Sequence, residues 1–160
     1  MKKKTERIAL IGLLGALALV LGILENLLPP LPGMPAGAKA GLSNLVTMFA
    51  AGAIGLPAAL FIAAIKGLFA FLTRGVSAGL MSLCGGLLST LIMGMLWKKT
   101  KFTPVFIGVC GAFGHNLAQL LVALWMTGFG ALGYIPALAL YSVVCGICTG
   151  LLLQVLLPLL

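Results

Sequence analysis

Aspartate is absent from this 160-residue chain, and its acids are Glu6 and Glu25 alone. There is one histidine, His115, and charged residues make up 8% of the total. A soluble domain carries about a quarter charged residues, so this scarcity excludes an ordinary soluble globular protein. One histidine without aspartate cannot assemble the usual zinc or magnesium ligand set, and neither a metal nor a cofactor is expected. What fills the chain instead is apolar: 62% hydrophobic residues and a mean hydropathy of +1.25.

The formal charge of +8 would suggest nucleic acid in a soluble protein. Here the basic residues sit in "MKKKTER" at the start, in "KKTK" at 98–101, and singly at Lys39, Lys66 and Arg74. Basic residues flanking apolar spans set membrane orientation, and no nucleic-acid-binding motif accompanies them. The N-terminus resembles a signal peptide, but "ENLLPPLPGMP" follows the apolar run in place of a small-residue cleavage site, which predicts an uncleaved first transmembrane helix. Cys84, Cys110, Cys145 and Cys148 all fall in apolar segments, so buried free thiols are expected.

A helix needs about 20 apolar residues to cross a bilayer. On that measure the sequence predicts one all-α integral membrane domain over residues 1–160, a six-helix bundle. Its helices lie at about 8–28 (ended by Pro29 and Pro30), 42–55, 57–73, 77–97, 104–125 and 136–160. Thr103-Pro104 is a capping residue followed by proline at the first helical position. Helix 2 is short, so five spans plus a re-entrant segment stand beside six full spans. With the N-terminus cytoplasmic, six spans put Lys2–Arg7 and Lys98–Lys101 on one face and Lys39 and Arg74 at the opposite, outer mouth.

Small residues at i and i+4 let helix backbones approach closely in lipid. Such pairs are Gly12/Ala16, Ala18/Gly22, Gly75/Gly79 and Gly146/Gly150; two lie in succession on helix 1, which suits docking of a partner subunit.

Polar groups at membrane depth mark functional sites by default. Glu25 and Asn26 end helix 1, Lys39 lies in the following loop, Asn44 opens helix 2, Lys66 lies within helix 3, and Arg74 ends it. His115, Asn116 and Gln119 sit in "GAFGHNLAQLLVALW" on helix 5, spaced to share a face. Most of this set converges on the outer half of the bundle, as a ligand pocket with cations at its rim would. The plainer reading pairs the groups with one another: Glu25 with Lys66 as an ion pair, and His115 with a backbone carbonyl.

Two further motifs fall away. "GVSAG" (75–79) has the spacing of a nucleophile elbow, but that device needs a strand–turn–helix and the chain offers helix–turn–helix. "CGIC" (145–148) has redox spacing in apolar surroundings that leave a thiol inert.

"AGLSNLVTMFAAG", "GLLSTLIMGMLW" and above all "GHNLAQLLVA" together resemble the Gx transporter family, also labelled heptaprenyl diphosphate synthase component I. That family in turn resembles the substrate-binding S subunits of energy-coupling-factor (ECF) transporters, six-helix membrane proteins that hold a micronutrient in an outward-facing pocket. The resemblance implies a transmembrane T subunit docking on small residues of helix 1, here Gly12, Ala16, Ala18 and Gly22, with ATPase partner subunits supplying energy. The synthase label conflicts with the residues, because prenyl-diphosphate synthesis uses aspartate-rich motifs to hold magnesium.

The expectation is therefore a multi-pass cell-membrane protein, not an enzyme, that captures a small micronutrient or an isoprenoid- or quinone-related molecule. Glu25, Lys39, Asn44, Arg74, His115, Asn116 and Gln119 would bind it, with Lys39 and Arg74 attracting a phosphate or carboxylate. The alternative is a membrane component of a quinone- or flavin-linked redox system.

Overall fold

The computed structural model describes residues 2–27, 32–99 and 101–156. All regular structure among them is helical: α1 (Lys2–Leu27), α2 (Asn44–Ala53), α3 (Leu56–Arg74), α4 (Val76–Lys99), α5 (Pro104–Thr127), a 3-10 segment (Gly128–Tyr134) and α6 (Ile135–Leu156). Pro29 and Pro30 and the last four residues of expected helix 6 lie outside the described residues. α1, α3, α4 and the continuous α5–α6 stretch are each long and apolar enough to cross a membrane, and this is a multi-pass membrane protein.

The expectation of six full spans does not survive. α2 has 10 residues, about 15 Å at 1.5 Å per residue, half of a hydrocarbon core about 30 Å thick. Its predicted first residues, Leu42 and Ser43, are instead part of an entering turn in which Leu45 and Val46 donate backbone bonds to the Leu42 and Ser43 carbonyls. The segment 32–43 re-enters the bundle: Gly41 packs on the ring of His115, near the middle of α5. Irregular backbone at this depth is stable only inside protein, where side chains satisfy its polar groups.

Local chemistry sets most helix ends. The Thr103 hydroxyl accepts from Phe106 N at 3.3 Å, with Pro104 in the first turn of α5. Gly75 joins α3 to α4 in one step; its φ of 84° suits glycine, its N–H bonds Phe71 O at 3.2 Å and its carbonyl accepts from Gly79 N at 3.0 Å. α1 starts at Lys2, not near residue 8, because nothing in "KKKTER" breaks a helix.

α1 is held by a core of Leu14, Ala18, Val46, Ala50, Ala59 and Ile62, shared with α2 and α3. Met48, Met93, Ile107 and Leu153 join α2, α4, α5 and α6. Ile8, Leu13, Leu17, Val20 and Leu24 on α1, with Leu117, Leu121, Leu151 and Val155 elsewhere, point outward. In water that would be a liability; in lipid it is the required surface. The cysteines are free as expected, but Cys84 and Cys148 are exposed and Cys110 and Cys145 only partly covered, because each helix turns much of its perimeter to lipid. Ser77 lies in the first turn of α4, in a helix–turn–helix setting.

Candidate functional site

The re-entrant segment is held down by side chains from three long helices. Glu25, buried near the end of α1, accepts from Gly41 N at 2.6 Å and Leu42 N at 3.3 Å. Gln119 on α5 donates to Lys39 O at 3.1 Å, and Arg74 on α3 donates to Gly37 O at 3.4 Å. Lys39 in turn reaches Gly22 O of α1 at 2.6 Å. Gly41 has φ 85°, and a Cβ there would lie 2.7 Å from Asn44 Nδ2 and 3.0 Å from His115 Cδ2. Both the backbone conformation and the close approach therefore require glycine.

The expected Glu25–Lys66 ion pair is not formed. Glu25 is taken by the segment's backbone N–H groups, and the Lys66 ammonium donates to Asn44 Oδ1 at 2.6 Å. Both nevertheless line the same space. A cavity of about 30 Å³ is bordered by Glu25, Asn26, Lys39, Ser43, Lys66, Thr73, Arg74 and Ser82. A second, of about 10 Å³, shares Glu25, Lys39, Ser43, Lys66, Arg74 and Ser82 and adds His115 and Gln119. A water needs roughly 10–15 Å³ of such space, so together the chambers hold only a few waters.

His115 and Gln119 are 3% and 1% exposed. Gln119 Nε2 stands 2.6 Å from His115 Nε2 and also bonds Lys39 O. Its two amide hydrogens serve those two acceptors, which leaves the ring proton of a neutral His115 on Nδ1. Gln119 Oε1 has no hydrogen-bond partner among the described residues, whereas His115 Nδ1 faces Gly85 of α4, whose backbone bonds the ring. The 10 Å³ chamber thus has one unpaired acceptor, Gln119 Oε1, on a residue of its wall.

Asn116 belongs elsewhere. Its Nδ2 donates to Leu138 O at 3.1 Å and Ser142 Oγ at 2.8 Å, both on α6, and it lines neither chamber. The expected common face for the helix 5 trio therefore divides, because neighbouring residues on a helix point about 100° apart. Asn116→Ala is expected to lower unfolding stability by about 0.6 kcal/mol, the average for a hydrogen bond between membrane helices, and by no more than about 1.7 kcal/mol, the largest such value. Ligand affinity should be unchanged, as thermal unfolding in detergent run beside a binding assay would check. Lost affinity at intact stability would return Asn116 to the site.

Lys66, Ser43 and Ser82 are wall residues that the sequence reading did not assign to the site. Lys66 is visible from its depth in an apolar helix, where the plainer reading paired it with Glu25; the two serines carry no signal that separates them from packing serines. Three basic side chains and one carboxylate give the walls a formal charge of +2.

Of the four helix 1 positions expected to dock a partner, Ala18 is fully buried in the chain's own core, and Gly22 borders the 30 Å³ cavity. Only Gly12 and Ala16 are exposed. With Gly15 they line an open groove of about 730 Å³ between α1 and α3, walled by Ile11, Phe61 and Ile65.

A family model described as heptaprenyl diphosphate synthase component I matches residues 14–156. The chain belongs to that family. No curated protein and no solved structure matches it. In this member of the heptaprenyl diphosphate synthase component I family, the matched span contains every residue of the two chambers. Gly12 is the one docking candidate outside it.

Proposed function

We propose that this chain is a membrane substrate-binding subunit, comparable to the S subunits of ECF transporters, that captures a small molecule from the outer side of the cell membrane. The observation that carries the reading is the convergence of Glu25, Lys39, Arg74, His115 and Gln119, from α1, the re-entrant segment, α3 and α5, on one pair of chambers, with Asn44 of α2 bonded to the wall residue Lys66. Buried polar groups cost several kcal/mol in hydrocarbon unless paired, so a cluster with spare hydrogen-bonding capacity is best accounted for by a ligand. The chambers are too small for a whole micronutrient. Binding requires the segment 32–43 to lift, and its anchors are the same side chains that would hold the ligand.

On this reading the N-terminus is cytoplasmic, the groove between α1 and α3 receives a T subunit at Gly12 and Ala16, and ATPase subunits drive release. The protein acts by binding, not by catalysis, since a chain without aspartate lacks the magnesium-holding carboxylates of prenyl-diphosphate synthesis. A quinone head group suits the walls poorly, because it is neutral and leaves their positive charge uncompensated.

Native mass spectrometry of detergent-purified wild type beside His115→Ala tests the proposal. A small molecule retained by the wild type and lost by a folded variant is expected. Equal retention by both would remove His115 from the site. An empty wild type that no added candidate stabilises would defeat the binding reading.

A further inference from the structure

We infer that the chambers receive a doubly charged anionic head group, a phosphate monoester or diphosphate, with Lys66 at the floor and Arg74 at the mouth. This deepens the binding reading and rests on it. Lys66 and Arg74 are eight residues apart on α3, about 12 Å along its axis and about 80° around it. Lys39 on the re-entrant segment completes the set, and all three border both chambers.

Each cation is held by a neutral acceptor. Lys66 bonds the Asn44 carboxamide at 2.6 Å, Lys39 a backbone carbonyl of α1 at 2.6 Å, and Arg74 a backbone carbonyl of the re-entrant segment at 3.4 Å. An ammonium has three donors and a guanidinium five, so each retains unused capacity. The one carboxylate on these walls, Glu25, already accepts two backbone N–H groups. Lys66 is 6% exposed, a position where an ion without a counter-charge is costly. Two positive charges in excess, with spare donors, match the charge and oxygen-rich surface of a phosphate. A monocarboxylate would leave one of them uncompensated.

The chambers' few-water size limits what reaches the floor to the head group, leaving the body of the ligand at the mouth beside Phe69 and Thr73. An anion that draws Lys39 and Arg74 away from their carbonyls also removes two of the ties that hold the segment 32–43. Binding and opening are thus coupled through the same side chains.

Thermal unfolding and calorimetric titration of the full chain in detergent, with inorganic phosphate, pyrophosphate, phenyl phosphate and acetate as probes, test this. At least one phosphate probe should bind saturably and raise the melting temperature, with acetate at matched ionic strength doing neither. Arg74→Gln and Lys39→Met, both on half-exposed side chains, should each weaken that binding at least tenfold while remaining folded; Lys66→Met should abolish it, provided it folds. Phosphatidic acid in mixed micelles separates the sources: saturable binding of it in place of the soluble probes assigns the head group to a lipid. Equal response to acetate, or unchanged affinity in the two half-exposed variants, overturns the inference. A non-phosphorylated molecule retained by the wild type and lost in His115→Ala would overturn the charge assignment and leave the binding reading standing. Failure of every probe together with an empty wild type would remove both.

Discussion

Glu25→Ala is expected to release the re-entrant segment and abolish ligand binding, whereas Glu25→Gln should keep the segment in place and strengthen binding of an anion. The carboxylate has two separable roles. It accepts from Gly41 N and Leu42 N, and truncation to alanine leaves these donors unsatisfied at about 1–3 kcal/mol each. It also supplies the one negative charge on walls with three basic side chains. Glutamine retains the accepting oxygen and removes the charge. At ~8 Å and an effective dielectric constant of ~20, one unit charge is worth about 2 kcal/mol, more than tenfold in affinity for an anion. Hydrogen exchange over residues 32–43 reads the first role, and titration with phosphate or pyrophosphate reads the second. Fast exchange in both variants would mean that the charge itself holds the segment. Weaker anion binding in a closed Glu25→Gln protein would mean that the carboxylate contacts the ligand.

Gly146→Ala is expected to be among the most damaging single-methyl additions in the chain. A Cβ at Gly146 would lie 2.8 Å from Val109 N and 3.0 Å from Gly108 C. One at Gly150 would lie 2.8 Å from Pro104 O. These neighbours are backbone, which cannot rotate aside as a side chain can, so α5 and α6 must separate. Overpacking of this kind costs about 1–3 kcal/mol or more, and at about 2–4 °C per kcal/mol the melting temperature should fall by several degrees. Gly12→Ala serves as the control, since no atom lies within 4 Å of a Cβ there. An equal melting temperature for Gly146→Ala would show that α5 and α6 sit farther apart than described. A Gly12→Ala variant that is stable alone but fails to co-purify with a partner subunit would support docking at the α1–α3 groove.

Gly146/Gly150 and Gly12/Ala16 share one sequence spacing and have opposite surroundings, which shows where local pattern stops being informative. Small-xxx-small states that a close approach is permitted; it does not say whether the approaching helix is α5 of the same chain, as at Gly146, or lies beyond it. Ala18 has the same spacing to Gly22 and is consumed by the chain's own core. The trio at 115, 116 and 119 has the same weakness: helical spacing groups residues within an arc but does not say which neighbour each part of the arc meets. Asn116 meets α6, while His115 and Gln119 meet the re-entrant segment.

Composition and local chemistry by themselves determined that this protein lives in a membrane, that its structure is helical, and where most of its helices begin and end. Apolar run length against bilayer thickness, proline and glycine conformation, and the Thr103 cap all act within a few residues. They also marked the unusual polar residues, because a charge in an apolar run is visible without coordinates. Only the tertiary structure decided that α2 is a half-span fed by a re-entrant segment. The same holds for the pairing of Glu25 with backbone N–H groups in place of Lys66, and for the gathering of three cations around one carboxylate. Those outcomes depend on contacts between residues 16 to 80 positions apart. The free energy of pairing a buried polar group depends on which partner the packed helices bring within reach, and helical periodicity within one element carries no information about its neighbours.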